Sequence, residues 1–172
     1  MEKIGFFGGC FNPPTNIHIE LANNLVKTKK LDKVIFVPVN DSYIKNGLIS
    51  AEHRLNMIKL AIKDNNKLEV DDIETKENKK LFAVDAFELI NQKYSKNYEV
   101  YFIMGSDNFE KMSKWKDYNK IKYQKYIVIK RDENVISSTK IREMIAKNDS
   151  EAQKYLSREV YKYIEQNKLY KL

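Results

Sequence analysis

Two stretches of the chain carry the residue types needed to grip a chain of phosphates. The first is Gly8-Gly9-Cys10-Phe11-Asn12-Pro13-Pro14-Thr15-Asn16-Ile17-His18, and the second is Ile136-Ser137-Ser138-Thr139-Lys140-Ile141-Arg142. Paired glycines let backbone amides approach a bulky anion, and a helix opening just after them offers unpaired N–H groups at the positive end of its dipole. His18, one turn into such a helix, leans back over its mouth, because helical side chains point toward the N-terminus. In the second stretch, hydroxyls at a helix start and the bidentate guanidinium of Arg142 supply a similar grip. A glycine pair is also common turn punctuation, and a Ser/Thr run also makes a plain cap. Each stretch alone is therefore weak, and their placement has to decide.

That placement follows from the elements around them. Ile4–Phe7, Val34–Val39, Tyr98–Met104 and Tyr126–Ile129 are short apolar runs of the kind buried on both faces of a parallel sheet, and Leu68–Ile73 alternates like an edge strand. Between them lie helical patterns. One opens near Thr15 or Asn16, and one is capped by Ser50 and runs through Leu55, Ile58, Leu60 and Ile62. A third carries Leu81, Val84, Phe87, Leu89 and Ile90, and a short helical piece reaches Trp115. Further helices open at Ile136–Thr139 and carry Tyr155, Leu156, Val160, Tyr161 and Ile164. Glu74–Lys80 reads as a charged, mobile connection. This alternation predicts an α/β fold: a Rossmann-like, doubly wound, mainly parallel sheet of five to six strands with helices on both faces. Ligands in such sheets sit beyond the carboxyl ends of the strands. That rule selects Gly8–His18, Asn40–Lys45, Gly105–Asp107 and Ile136–Arg142, which are also rich in glycine, hydroxyls and cations.

Length and composition set the frame. The 172 residues predict one domain over 1–172, with 150–172 as a C-terminal helix packed on it. Hydrophobic residues at 42% and charged residues at 32% fit a globular chain rather than a disordered one. No stretch reaches the apolar length of a membrane span, and no secretory leader is expected. Cys10 is the single cysteine, so an internal disulfide is excluded and a reducing cytoplasm is the expected location. The net charge of +7 attracts anions, but the basic residues are scattered, which favours small phosphorylated metabolites over a nucleic-acid surface. No membrane partner is expected, and the oligomeric state, a homo-oligomer included, stays open.

The two phosphate-gripping stretches, in this order, resemble the signatures of the nucleotidyltransferase superfamily, and within it the bacterial nicotinate-nucleotide adenylyltransferase family. Val37-Pro38 with Lys45 downstream, Glu52-His53-Arg54-Leu55-Asn56-Met57, Met104-Gly105-Ser106-Asp107 with Trp115 following, Ile129-Lys130-Arg131 and the Tyr155–Tyr170 tail are similar to that family too. The resemblance spans nearly the whole chain. It implies attack of a mononucleotide phosphate on the α-phosphorus of ATP, releasing pyrophosphate, with Mg²⁺ carried by the ATP phosphates and no metal site of the protein's own. It assigns catalysis to His18, Thr15, Lys45 and Arg142. ATP contacts fall to Gly8, Gly9, Cys10, Phe11, His18, Gly105, Asp107, Ile136, Ser138, Thr139 and Arg142, and acceptor contacts to Lys45, Phe82, Asp85 and Trp115.

The chain departs from the family pattern at three places. Where the first motif usually reads His-x-Gly-His it has Thr15-Asn16-Ile17-His18, and a hydroxyl-rich acceptor segment is replaced by Leu81-Phe82-Ala83-Val84-Asp85-Ala86. The resemblance makes nicotinate mononucleotide the leading acceptor, and these departures open nicotinamide mononucleotide and phosphopantetheine as enzyme alternatives and a non-catalytic nucleotide-binding protein as the other class. Lys111-Met112-Ser113-Lys114 reproduces the lysine loop of class I aminoacyl-tRNA synthetases. It lies before the fifth strand, where no loop closing on ATP is expected, and is read as coincidence.

Overall fold

The structure, a computed structural model, describes residues 1–171. Five strands, β1 (Glu2–Gly9), β2 (Lys33–Pro38), β3 (Leu68–Val70), β4 (Tyr98–Gly105) and β5 (Tyr126–Ile129), form one sheet in the order β3-β2-β1-β4-β5. Every pairing is parallel. The strand runs were legible because consecutive residues are buried on opposite faces. Val34 and Phe36 of β2 join the core with Ala22 and Leu25 of α1 (Asn16–Thr28) and Ile58 and Ile62 of α2 (Ala51–Ile62). Ile35 and Val37 join Ile4, Phe6 and Phe102 against Ile90 of α3 (Ala83–Tyr94).

The chain steps outward from β1 to β3 and then returns to place β4 on the other side of β1, so the order reverses between β1 and β4. Those strands pair only as far as Phe7 opposite Ile103, whereas β1 continues beside β2 to Gly9 opposite Pro38 and β4 continues beside β5 to Gly105 opposite Ile129. The parting of the two central strands opens the crevice that doubly wound sheets use for ligands.

The remaining helices are α4 (Ser106–Lys111), α5 (Tyr118–Ile121), α6 (Ser138–Ala146) and α7 (Arg158–Gln166). A further core contains no strand residue: Met57 of α2, Ile141 and Ile145 of α6, Ala152, Leu156, Val160 and Ile164 of α7, and Leu169. Helix α6 is thus seated on α2 and the C-terminal segment rather than on the sheet.

Four local expectations differ from the structure. Strand β3 stops at Val70, because the buried carboxylate of Asp71 accepts the Ile73 N–H at 2.9 Å and turns the chain out of the sheet. Leu81 precedes α3, which starts where Asp85 accepts the Phe82 N–H at 2.8 Å. The single helix expected over 150–172 is split into a 3₁₀ turn, Ser150–Tyr155, and α7. Ser157 causes the break, since its hydroxyl accepts the Val160 N–H and caps a new helix. The connection Glu74–Lys80 is tied down where Asn40, buried at the end of β2, donates to the Lys79 carbonyl at 2.7 Å. Among the described residues, no helix is long and apolar enough to cross a membrane.

Candidate active site

The glycine pair is not a turn. Gly8 and Gly9 are the last two residues of β1, and neither has positive φ. The turn is made by Phe11, whose φ of 49° lies in the left-handed region, followed by a cis Asn12–Pro13 bond. The glycines answer a need for space instead. A Cβ on Gly9 would stand 3.2 Å from the Phe11 ring, whereas a Cβ on Gly8 would meet only the Val37 carbonyl at 3.9 Å. Gly8 is exposed and its missing side chain leaves the crevice mouth open. A Gly8→Ala variant is expected to melt within about 2 °C of the parent, since its backbone suits alanine and nothing is displaced. The same methyl narrows the mouth, so calorimetry with Mg–ATP is expected to read weaker binding.

Phe11, an expected nucleotide contact, is only 3% exposed and its ring belongs to the core. It meets Phe7 and Phe36 at 5.5 and 5.2 Å between centroids and lies edge-on to His18 at 5.2 Å. Any contact it makes with a ligand comes from its backbone. The aromatic cage holds the His18 ring, and the burial it imposes pushes the imidazole pKa down to about 4. Its Nδ1 receives the Thr15 N–H at 2.9 Å, with the Thr15 hydroxyl at 3.1 Å. An N–H can only donate, so Nδ1 is the acceptor and the neutral ring carries its proton on Nε2. Thr15 itself is the buried N-cap residue of α1, and its polar atoms are turned to His18 rather than to the crevice.

The two phosphate-gripping stretches abut. The Ser138 hydroxyl donates to the Pro13 carbonyl at 3.1 Å, and Arg142 donates from Nη1 to the Asn12 carbonyl at 2.9 Å and from Nη2 to the Thr139 hydroxyl at 3.2 Å. Ser137, not Ser138, caps α6 through Lys140 N–H. The Ser138 hydroxyl proton is therefore committed to the glycine loop, while the Ser138 and Thr139 amides at the head of α6 have no partner among the described residues. Ile136, half-buried, packs on the α2–α6–α7 core. Lys45, on an exposed loop, reaches across to Cys10 with Nζ 4.0 Å from Sγ.

On the β4 side, Gly105 leads directly into α4. A Cβ there would lie 2.8 Å from Asp107 Oδ1, so the glycine makes room for that carboxylate. Asp107 Oδ1 is buried without a hydrogen-bond partner among the described residues, while Oδ2 lies 3.6 Å from Arg131. Trp115 packs against the Val84–Met104–Met112–Ile121 cluster. The exposed ring of Phe82 has the ammonium groups of Lys116 at 4.6 Å and Lys80 at 5.2 Å from its centroid. Asp85, expected at the acceptor, spends Oδ2 on the head of α3.

Three residues of this region were not singled out as site residues by the sequence. Asn12 is 2% exposed, with its amide donating to the Gly47 carbonyl at 2.8 Å and its Oδ1 accepting from Tyr170 at 2.8 Å. Arg54 is fully buried and donates to the Ile49 and Cys10 carbonyls at 2.9 and 3.0 Å and to Asp41 at 3.2 Å. Its signal was present: Arg54 recurs with Met57, Ile58 and Ile62 at helical spacing among the buried positions of α2, and a cation on such a stripe has a buried partner. Burial also pushes the Glu74 carboxyl up to about 7, against the opposing pull of Arg54.

A profile described as cytidylyltransferase-like matches residues 6–144. Nicotinate-nucleotide adenylyltransferase of Bacillus subtilis is 30% identical, with 99% of this chain and 99% of the relative aligned. A Lactococcus lactis protein carrying the same family name is 33% identical over 99% of this chain and 96% of its own. Among solved structures, a Plasmodium falciparum nicotinic acid mononucleotide adenylyltransferase complexed with NaAD superposes with a TM-score of 0.77 at 20% identity, covering 99% of this chain and 98% of that one. That likeness speaks for the fold, and the sequence relatives speak for the family. The chain belongs to the nicotinate-nucleotide adenylyltransferase family, within the cytidylyltransferase-like proteins.

Proposed function

We propose that the protein transfers AMP from ATP to the phosphate of nicotinate mononucleotide, giving deamido-NAD and pyrophosphate. An oxygen of the acceptor phosphate bonds to the α-phosphorus, the bond from that phosphorus to the bridging oxygen breaks, and pyrophosphate leaves with its electron pair. Such chemistry needs positioning and neutralisation of charge more than a protein nucleophile. The observation that carries the reading is the neutral His18, locked by Thr15 so that Nε2–H is its only donor, at the mouth where β1 and β4 part. That N–H meets the negative charge that builds on the α-phosphoryl oxygens. The free amides of Ser138 and Thr139 and the guanidinium of Arg142 hold the β- and γ-phosphates, Gly8 and Cys10 line the mouth, and Asp107 takes the ribose hydroxyls. Mg²⁺ arrives as part of the Mg–ATP substrate, because the side chains assembled here are cations and hydroxyls rather than a carboxylate cage.

On the acceptor side, Lys45 meets the attacking phosphate and Trp115 the pyridine ring. The Phe82 ring between Lys80 and Lys116 favours an acid over an amide, since two ammonium groups attract a ring carboxylate. The absence of hydroxyls from Leu81–Ala83 supports a second reading with another phosphate monoester as acceptor. Pyrophosphate release with Mg–ATP and nicotinate mononucleotide, nicotinamide mononucleotide or phosphopantetheine separates them. Nicotinate mononucleotide is expected to turn over at least about tenfold faster than its amide, the scale of one missing charged contact. Equal rates, or a faster rate with phosphopantetheine, overturn the acceptor. ATP binding without pyrophosphate release for any of the three overturns the enzyme. We place the protein in the cytoplasm as a single domain, acting on small molecules and not on nucleic acid or membranes.

A further inference from the structure

One buried polar side chain near the crevice, that of Asn12, draws its outermost support from 158 residues away. Asn12 is buried, and its side-chain amide and main-chain carbonyl are engaged: Nδ2 donates to the Gly47 carbonyl, Oδ1 accepts from the Tyr170 hydroxyl and, at 3.4 Å, from the Ile49 N–H, and its own carbonyl accepts from Arg142. The Gly47 carbonyl can only accept, which fixes the amide orientation and leaves Oδ1 to the tyrosine. One residue therefore joins the glycine loop, the 45–49 loop and the first turn of α6. The hydroxyl that completes it is presented by a segment outside every helix and strand. Lys168 and Tyr170 both have positive φ, 52° and 62°, and the Leu169 between them is buried in the α2–α6–α7 core. Leu169 anchors the segment, and the two left-handed residues aim the Tyr170 ring back at the crevice. Burial raises the phenol pKa well above its usual range, with the Arg142 and Arg54 charges opposing, so the hydroxyl remains a neutral donor.

We propose that Tyr170 is a positioning residue for ATP: its hydroxyl orients Asn12, and Asn12 holds Arg142 and the 47–49 backbone where the phosphates bind. The proposal rests on the reading that Arg142 grips the ATP phosphates. Arg142 has five N–H donors, and two are spent on Asn12 and Thr139. The other three are directed by those two bonds. Arg142 is held by the main-chain carbonyl of the residue whose side chain Tyr170 fixes, so losing the tyrosine bond loosens the guanidinium through the Asn12 backbone, and ATP must then order both on binding. The tyrosine thus acts on affinity for one substrate without touching either.

The test is Tyr170→Phe, which keeps the ring and its packing and removes only the hydroxyl. Calorimetry with Mg–ATP alone is expected to read binding about 5- to 20-fold weaker, the range set by one buried hydrogen bond. KM for ATP rises in step, and KM for the mononucleotide stays within twofold. In an Arg142→Ala background the same substitution is expected to change kcat/KM for ATP by less than twofold, because its route of action is gone. A purely structural role lowers the melting temperature and the active fraction but leaves both KM values alone. Unchanged ATP affinity in Tyr170→Phe, or an equal loss with and without Arg142, overturns the proposal. Calorimetry needs no acceptor, so a parent protein that binds Mg–ATP but releases no pyrophosphate overturns the proposed function while this comparison stands. A parent that does not bind Mg–ATP overturns both.

Discussion

Replacing His18 by asparagine is expected to lower kcat for pyrophosphate release by about 10²–10³, the usual cost of removing one preorganised donor from a developing charge. Asparagine separates two roles of the histidine. Its Oδ1 can accept the Thr15 N–H as Nδ1 does, so the head of α1 stays capped, but nothing replaces Nε2–H. Turnover within threefold of the parent removes His18 from the mechanism. The same variant has a pH signature. Folding lowers the His18 pKa from 6.5 to about 4, so between those values the unfolded chain binds a proton that the native protein refuses. Stability therefore falls as pH drops from 6.5 toward 4, by about 3 kcal/mol in total. Asparagine does not titrate, so denaturant unfolding at pH 7 and pH 4 is expected to show a smaller loss in the variant by about that amount. Parallel curves refute the assignment of a neutral, buried ring.

Arg54→Ala is expected to destabilise the protein by about 3–5 kcal/mol, a melting-temperature drop of about 6–20 °C for a chain of this size. The magnitude comes from the buried end of the network. Asp41 is largely exposed, so its ion pair is screened by water, but the carbonyls of Ile49 and Cys10 lose their donors and a cavity opens under the glycine loop. Arg54→Met fills most of that volume and is expected to cost less, leaving only the unpaired carbonyls. Since Cys10 lies between the crevice-mouth glycines and Phe11, its released carbonyl is also expected to raise KM for ATP in both variants. A drop of under 2 °C in Arg54→Ala contradicts this account.

What could be read in advance follows a physical line. Four strands were visible because burial on both faces leaves continuous apolar runs, the edge strand β3 because it alternates, and α1 and α2 because Thr15 and Ser50 stand just before helical periodicity. The turn after β1 was not legible, because glycine suggests positive φ, whereas the residue that adopts it is Phe11, held there by Phe7, Phe36 and His18. Asn12 and Tyr170 were illegible as a pair because nothing local links positions so far apart. Arg54 was legible in principle but was passed over, because charges on helices are usually solvated. The acceptor side was least legible, since Phe82 and Lys116 meet only once α3 and the Trp115 turn are folded together.

The core without strands has a consequence for how this chain can change over generations. Met57 faces α6 and α7 while Ile58, its neighbour, faces the sheet. One turn of α2 thus answers to two neighbourhoods, and the element bearing Arg142 registers against only one of them. A methylene gained or lost at Met57 shifts α6 relative to a glycine loop whose own position is set by the sheet. Drift on this helix is therefore constrained in pairs: a change at Met57 survives when Ile141, Ile145 or Val160 restores the spacing. Ile58 is free to follow the strands instead.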